Sequence, residues 1–233
     1  MKTGGTTFVQ HIEANFRPDQ VYPGVERGAD RQSAYYMIDE LRALPAERRR
    51  TIKAYVGHFP FVASTLIESN PVTFTILREP VGRTVSVLRH YKRHDDRLRD
   101  LSLEAIYEDG YVFPMQIHNY QAKLFAMTRD DKLESHLDVI DVDDDRLQLA
   151  KSNLERVEVL GLHDRYDEFV EQMQHRFGWH YAPVVSLRVS TEDWDVSSAF
   201  RKRIASDNAA DVAFYEFATQ LYERRRRSRA DAT

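Results

Sequence analysis

The stretch that decides the fold is residues 72–94, VTFTILREPVGRTVSVLRHYKRH. Residues 72–77 are apolar or β-branched and end at Arg78, which is typical of a strand buried in a parallel sheet. The pattern predicts a helix over 80–94, because proline is favoured in a first helical turn, where its missing N–H has no partner to lose. A strand that leads directly into a helix indicates an α/β fold.

Other segments of the chain repeat this alternation. Residues 52–56 predict a strand that ends at Gly57-His58 and leads into a helical pattern over 61–68, and a further strand is predicted over 157–162. Helical periodicity recurs over 33–44, 102–109, 115–126, 145–156, 164–177 and 208–227. No repeat or low-complexity linker divides the chain, so we expect a single domain over 1–233, with a parallel sheet and helices on both of its faces.

Composition excludes several classes of protein. The 233 residues carry 33 Lys and Arg against 37 Asp and Glu, and a net charge of −4 gives no overall attraction to nucleic acid. Without cysteine there is no disulfide framework, thiolate metal site or cysteine nucleophile. The sequence shows neither a long apolar run nor a secretory signal, which predicts a cytoplasmic protein without a membrane span.

Two charged runs are interpreted as structural. The acidic stretch 138–145 lacks the spacing of a calcium loop and predicts a solvated turn. The four arginines at 224–227 predict the favourable end of the last helix, followed by a frayed tail.

The opening of the chain predicts a phosphate cradle. Two glycines, Gly4 and Gly5, allow a backbone turn to direct N–H groups at an anion, and a helical pattern begins there. Charge and hydroxyl donors come from Lys2, Thr3, Thr6 and Thr7. The nucleoside-triphosphate version of such a loop ends in Gly-Lys, a pair that this sequence lacks. The alternative is an ordinary turn.

A second anion site is predicted at the end of the 72–77 strand. Arg78 would face the crevice in which parallel sheets bind ligands, and Ser86, eight residues later in the next helix, can point to the same side. A guanidinium with a hydroxyl suits a second phosphate. Two anion sites on one sheet suggest a bisphosphorylated nucleotide.

These motifs resemble the sulfotransferases that use 3′-phosphoadenosine 5′-phosphosulfate, in particular the carbohydrate branch that includes heparan sulfate 2-O-sulfotransferases. The resemblance rests on KTGGTTF at 2–8, YVGHFPF at 55–61 and FTILREPVGRTVSVLRHYKR at 74–93, with a weaker likeness over 150–179. It implies a sheet of the phosphate-loop type. Residues Lys2 through Thr7 would hold the 5′-phosphosulfate end, Arg78 and Ser86 the 3′-phosphate, and His58 would be the catalytic base.

The residues agree with a transfer of a sulfuryl group to a hydroxyl, with a saccharide or glycolipid as the expected acceptor. An imidazole such as His58 suits removal of a hydroxyl proton near neutrality, although a structural histidine is the alternative. Lys2 would stabilise the oxygen that becomes negative as adenosine 3′,5′-bisphosphate leaves. Sulfuryl carries less charge than phosphoryl, so we expect no metal, and the pair His90 and His94 lacks an evident third ligand.

One departure from the family lies at the start. The relatives place an apolar strand and a proline before the lysine, whereas only Met1 precedes Lys2 here. Three interpretations follow: a reading frame that begins upstream, a shortened chain with a weakened cradle, or a methionine in place of the proline. A shortened chain would favour a nucleotide-binding module without turnover. A phosphate-loop small-molecule kinase is disfavoured by the missing Gly-Lys.

The acceptor side allows two interpretations. The run 89–94 with Arg97 and Arg99 is either a basic wall for an anionic glycan or a solvated helix face. Aromatic residues that could stack on sugars or pack in the core are Tyr111, Phe113, Tyr120 and Phe125. Arg188 is a possible extra contact to the nucleotide.

Overall fold

The structure is a computed structural model that describes residues 5–23, 38–67, 70–131, 140–180 and 196–231. Its α-helices are α1 Gly5–Asn15, α2 Ile38–Ala43, α3 Ala46–Thr51, α4 Pro80–His94, α5 Leu103–Tyr107, α6 Tyr120–Ala126, α7 Asp144–Glu155, α8 Tyr166–Phe177, α9 Ser198–Asp207 and α10 Ala209–Ala230. None of these described helices is both long and apolar enough to cross a membrane.

The strands form two parallel pairs. Strand β1, Val21–Tyr22, pairs with β2, Ala54–Tyr55, and β3, Phe74–Leu77, pairs with β4, Val159–Leu162. The α/β class and the parallel pairing are as predicted. In the described ranges, however, the strands form two two-stranded sheets, where the sequence predicts one parallel sheet.

One apolar cluster joins both strand pairs to the first and eighth helices. Phe8 and Ile12, one helical turn apart on α1, pack with Phe169 and Met173 of α8. The cluster also includes residues of all four strands, which are Val21, Ala54, Phe74, Ile76 and Val159. The two pairs therefore share one hydrophobic core although no strand pairing connects them within the described residues.

Helix α4 confirms the prediction from residues 80–94. Pro80 occupies its first turn, and the Glu79 carboxylate caps the helix by accepting hydrogen bonds from the N–H groups of Val81 at 2.8 Å and Gly82 at 2.7 Å. The helix thus begins at a fixed position directly after β3. Its buried side carries Arg83 among apolar residues, a feature that the periodicity did not predict.

A glycine in β4 allows α8 to pack closely. A Cβ atom on Gly161 would lie 2.6 Å from Cδ2 of the Phe169 ring. That separation is shorter than carbon atoms tolerate, so only a residue without a side chain fits at this strand position. This contact sets the distance between α8 and the β3–β4 pair.

The remaining elements differ from the sequence prediction in detail. Residues 61–68 contain the 3₁₀ helix Phe61–Leu66, and the 115–126 pattern is interrupted at Asn119, whose φ of 48° separates the π-helical turn Phe113–Ile117 from α6. Helices α3 and α9 and strand β1 were not predicted.

Both charged runs can be compared with their predictions. In the acidic stretch, Asp143 caps α7 and the aspartates described there are exposed, consistent with a solvated turn. The predicted frayed tail after 227 is wrong, because α10 continues to Ala230. Arg225 anchors this helix by donating to the carbonyls of Val157 and Glu155, both at 2.7 Å.

Candidate functional site

The predicted phosphate cradle is described only in part. Lys2, Thr3 and Gly4 lie outside the described residues, as does Arg188. Gly5, Thr6 and Thr7 form the first turn of α1, so a helix begins where the sequence predicts one. The first turn of a helix presents unpaired N–H groups, and these are the donors that a phosphate cradle uses.

Arg78 directly follows β3, and its backbone and side chain are both positioned by neighbours. The Gln121 side chain accepts from the Arg78 N–H at 3.0 Å and donates to the Arg78 carbonyl at 2.8 Å. The guanidinium reaches α4, because a Cβ atom on Gly82 would lie 3.8 Å from Nε and 4.0 Å from Nη2. Arg78 therefore lies over the first turn of the helix that carries Ser86.

Ser86 and Arg89 lie on the same side of α4 as Gly82. They follow Gly82 by four and seven residues, and these spacings place residues on one helical face. Both side chains are partly buried. Burial lowers the pKa of Arg78. The negative charge of Glu79 opposes this effect and the positive charge of Arg89 adds to it, so both charges lie within electrostatic range of the Arg78 guanidinium. Ser86 therefore lies on the helical face over whose first turn the Arg78 guanidinium lies.

His163 lies beside Arg78, and the sequence analysis did not identify it as a neighbour of that residue. Leu77 pairs with Leu162, so Arg78 and His163 are the next residues on two neighbouring parallel strands. Burial lowers the pKa of His163, and Arg78 adds to that effect. The strand prediction over 157–162 contained the signal, because the residue after it ends at the same sheet edge as Arg78.

His58 follows β2 and lies against α6. Its partly buried ring meets the Tyr120 ring edge-to-face, with the centroids 6.5 Å apart. Burial, together with the positive charge of Arg83, lowers the pKa of His58 to about 4. The imidazole is therefore neutral at physiological pH, with a ring nitrogen able to accept a proton.

The positive charge that acts on His58 is the guanidinium of Arg83, which lies against the Tyr120 ring. Arg83 is 1% exposed, and its guanidinium carbon lies 4.3 Å from the ring centroid of Tyr120. Arg83 Nη2 also donates to the Gln116 carbonyl at 2.6 Å. Tyr120 thus contacts both groups, with its ring nearly perpendicular to the imidazole and its face against the guanidinium.

The start of α6 connects the two predicted site residues. Tyr120 contacts His58, and the next residue, Gln121, holds the backbone of Arg78. The buried carboxylate of Asp211 accepts from the N–H groups of Gln121 at 3.2 Å and Ala122 at 2.7 Å. Burial raises the pKa of Asp211, an effect opposed by the charge of Arg83 and by these hydrogen bonds.

On the acceptor side, the basic run has local partners. Lys92 donates to the carbonyls of Arg99 and Leu101, and Arg97 pairs with Asp95 at 2.7 Å. Arg99 pairs with Asp96. These contacts support the solvated-face interpretation for this part of the run.

The candidate aromatic residues divide into core and surface. Tyr120 and Phe125 are buried in the main hydrophobic cluster, and Phe113 packs partly buried against a second one. Tyr111 is 42% exposed and is the member of this set that remains accessible to a sugar.

The residues that the structure describes contain no group of three or more His, Asp or Glu residues suited to a metal ion. The His90 and His94 rings lie 4.6 Å apart between centroids, as their helical spacing requires.

Comparisons of the chain with models of protein families, with curated proteins and with solved structures find no match.

Proposed function

We propose that the chain binds a 3′-phosphorylated adenosine nucleotide and transfers the sulfuryl group of 3′-phosphoadenosine 5′-phosphosulfate to a hydroxyl, on a saccharide or glycolipid. The observation that carries this proposal is the position of Arg78. Its guanidinium lies over the first turn of α4, on the side of the helix that carries Ser86. A fork of N–H donors beside a hydroxyl is suited to a phosphate monoester.

Each end of the nucleotide has its own proposed contacts. Arg78 and Ser86 would bind the 3′-phosphate. The loop from Lys2 to Thr7 would bind the 5′-phosphosulfate, with the first-turn N–H groups of α1 as donors. Lys2 would stabilise the bridging oxygen that becomes negative when its bond to sulfur breaks.

His58 is proposed as the base for the acceptor. Its neutral imidazole would take the hydroxyl proton while the hydroxyl oxygen forms the new bond to sulfur. The imidazole packs nearly perpendicular to the Tyr120 ring. Consecutive residues at the start of α6, Tyr120 and Gln121, contact His58 and Arg78, which supports a site that contains both.

One observation favours a second candidate, a nucleotide-binding module without turnover. A pKa of about 4 makes His58 a weak base in the free protein. A general base is most effective when its pKa lies near the working pH. Binding of the nucleotide without product formation would support this candidate.

The test compares two nucleotides by calorimetry. Adenosine 3′,5′-bisphosphate should bind at least about tenfold more tightly than adenosine 5′-monophosphate, because the second phosphate adds charge-assisted hydrogen bonds. Arg78→Ala should abolish this preference. Arg97→Ala, which removes an exposed arginine paired with Asp95, should retain it. Equal affinities in the parent protein would contradict the proposal.

Turnover is then measured with radiolabelled sulfuryl donor and a panel of saccharide and glycolipid acceptors. Lys2→Ala should lower turnover far more than acceptor affinity, since its charge acts on the leaving oxygen. EDTA should leave the parent rate unchanged. A strict requirement for magnesium would instead support a kinase.

A further inference from the structure

The backbone of Asn119 is left-handed, with a φ of 48° and a ψ of 37°. This conformation crowds the Cβ atom of any residue other than glycine, and asparagine is among the residues that tolerate it best. Asn70, the other non-glycine residue with this backbone in the described ranges, is exposed, whereas Asn119 is 7% exposed. A strained residue persists in the interior only where its surroundings fix it, and such residues are concentrated at functional sites.

The surroundings that fix Asn119 are the end of α9 and the start of α10. The Asn119 N–H donates to Oδ1 of Asn208 at 2.9 Å, and the Asn119 Oδ1 accepts from the N–H of Asp211 at 3.1 Å. Asn208 is 1% exposed and is itself held, because its Nδ2 donates to the Ile204 carbonyl at 2.8 Å. Breaking any of these bonds leaves a buried polar group without its partner. The left-handed conformation is therefore held through both the backbone and the side chain of Asn119.

The start of α10 also binds the first turn of α6. The carboxylate of Asp211 accepts from the N–H groups of Gln121 at 3.2 Å and Ala122 at 2.7 Å. First-turn N–H groups have no partner within their own helix, so they depend on an acceptor from elsewhere in the chain. Together with the bonds of Asn119, these contacts fix the point at which α6 begins.

Two residues of that first turn contact the proposed site. Tyr120 directly follows Asn119, and its ring packs nearly perpendicular to the His58 imidazole, with the centroids 6.5 Å apart. Gln121 comes next and bonds to both backbone groups of Arg78. Consecutive residues of an α-helix project about 100° apart around its axis, so one turn can reach two different groups. A change in the backbone at Asn119 would displace both side chains together.

We propose that Asn119 is a positioning residue that acts on both parts of the proposed site, the His58 base and the Arg78 phosphate contact, through the left-handed start of α6. This inference rests on the proposed function and adds to it a residue that is not proposed to contact either substrate. Small displacements of groups that bind or react can cause large losses in activity. The alternative is a role in stability alone.

The experiment compares Asn119→Gly with Asn119→Ala. Both changes remove the oxygen that accepts from Asp211, and both keep the N–H that donates to Asn208. Glycine adopts the left-handed backbone without crowding, whereas alanine does not. The preference for adenosine 3′,5′-bisphosphate over adenosine 5′-monophosphate, measured by calorimetry, should fall roughly three- to tenfold in Asn119→Ala and stay within about twofold in Asn119→Gly.

The second readout is the titration of His58, followed by NMR through the C–H signal of its imidazole. In the parent protein, burial and the positive charge of Arg83 lower the pKa of His58 to about 4. Displacement of Tyr120 in Asn119→Ala would expose the ring to water, so its titration midpoint should rise by about one pH unit or more. Asn119→Gly should keep the parental midpoint. This readout needs no nucleotide and therefore does not depend on the proposed function.

The matched control is Asn153→Ala. Asn153 is also a buried asparagine, and its Nδ2 donates to the Phe125 carbonyl at 2.8 Å, near the other end of α6. The change removes a buried hydrogen bond from the same helix, so the denaturant midpoint should fall. The nucleotide preference and the His58 titration should both keep their parental values.

A second variant, Asn208→Ala, leaves Asn119 itself unchanged and removes the acceptor of its N–H. It should shift both readouts in the same direction as Asn119→Ala. Circular dichroism establishes which variants are folded. If both variants are unfolded, the role of Asn119 is in stability alone and the inference is overturned.

Parental values of both readouts in a folded Asn119→Ala variant overturn the inference. Equal changes in Asn119→Gly and Asn119→Ala overturn it as well, because the lost side chain and not the left-handed backbone would then be responsible. If the parent protein prefers neither nucleotide, the proposed nucleotide site fails. The His58 titration then still decides whether Asn119 positions that ring.

Discussion

The side-chain amide of Gln121 bonds to both backbone groups of Arg78, accepting from its N–H at 3.0 Å and donating to its carbonyl at 2.8 Å. Gln121 is 1% exposed, so water does not compete for these bonds. The amide extends the hydrogen bonding of the sheet by one residue beyond β3. The backbone from which the Arg78 guanidinium projects is consequently fixed.

Replacing Gln121 by alanine should therefore weaken the preference for the bisphosphate over the monophosphate, although Gln121 itself is not proposed to contact the nucleotide. We expect a loss of about 1–3 kcal/mol in the free energy of unfolding, because a buried N–H and carbonyl lose their partners. The preference for the bisphosphate over the monophosphate should fall roughly three- to tenfold. Denaturant unfolding and calorimetry measure the two effects.

The matched control for that change is Gln172→Ala. The Gln172 amide donates to a carbonyl of its own helix, that of Glu168, and makes no bond to β3. This variant should keep the nucleotide preference. If both variants lose it equally, the Gln121 bonds do not position Arg78.

His58→Ala tests the acceptor side of the mechanism. A positioned general base contributes about 10²–10⁴-fold, so turnover should fall by that factor. Affinity for adenosine 3′,5′-bisphosphate should remain close to that of the parent, because the base acts on the acceptor. If the variant keeps more than about a tenth of the rate, the base is another residue. A purely structural histidine would give lower thermal stability with turnover preserved.

The pH dependence of turnover should also report on His58. Its pKa of about 4 places the acidic limb of the parent profile well below the usual imidazole value of 6.5. Above pH 6.5 the protonation of His58 should not affect the rate, and the rate should fall as the pH approaches 4. A limb centred near 6.5 would show that His58 is not the group whose protonation stops the reaction.

The free energy of unfolding should also depend on pH because of His58. In the folded protein the pKa of His58 is about 4, below the ordinary value of 6.5, so between these values the unfolded chain binds more protons. The neutral imidazole stabilises the folded protein fully above pH 6.5, and this contribution is lost as the pH falls from 6.5 to about 4. His58→Gln should remove about 2 kcal/mol of the parent's decline in unfolding free energy over this range. An unaltered slope in denaturant titrations would contradict the burial of this ring.

Gly161→Ala tests the packing of α8 on β4. The added Cβ would lie 2.6 Å from the Phe169 ring, and overpacking of this kind costs roughly 1–3 kcal/mol. Thermal unfolding should show a lowered midpoint. The second change Phe169→Leu should be less destabilising in the Gly161→Ala background than in the parent, because it relieves the clash. Additive effects would indicate that the two residues do not meet.

The local sequence pattern predicted the part of the candidate site that lies within a single segment of the chain. The order of β3, Arg78 and α4 follows from residues 72–94 because apolar continuity, a proline and helical spacing all act within a few residues. The start of α1 at Gly5 was predictable for the same reason. In both cases the residues that determine the structure are neighbours in the chain.

Long-range contacts account for what the sequence did not show. His163 became a neighbour of Arg78 only through the register between β3 and β4. The low pKa of His58 depends on Arg83, which a helical pattern treats as one more cation on a solvated face. Its burial against Tyr120 requires α4 and α6 to pack, and no local pattern encodes that.

The hydrogen bonds of Asp211 impose an order on biosynthesis. The start of α6 is held by a carboxylate about 90 residues later in the chain, with Gln121 and Asp211 themselves separated by 90 positions. A nascent chain that has exposed β3, α4 and α6 still lacks the group that caps α6. The proposed nucleotide site should therefore be completed late in translation, after α10 leaves the ribosome.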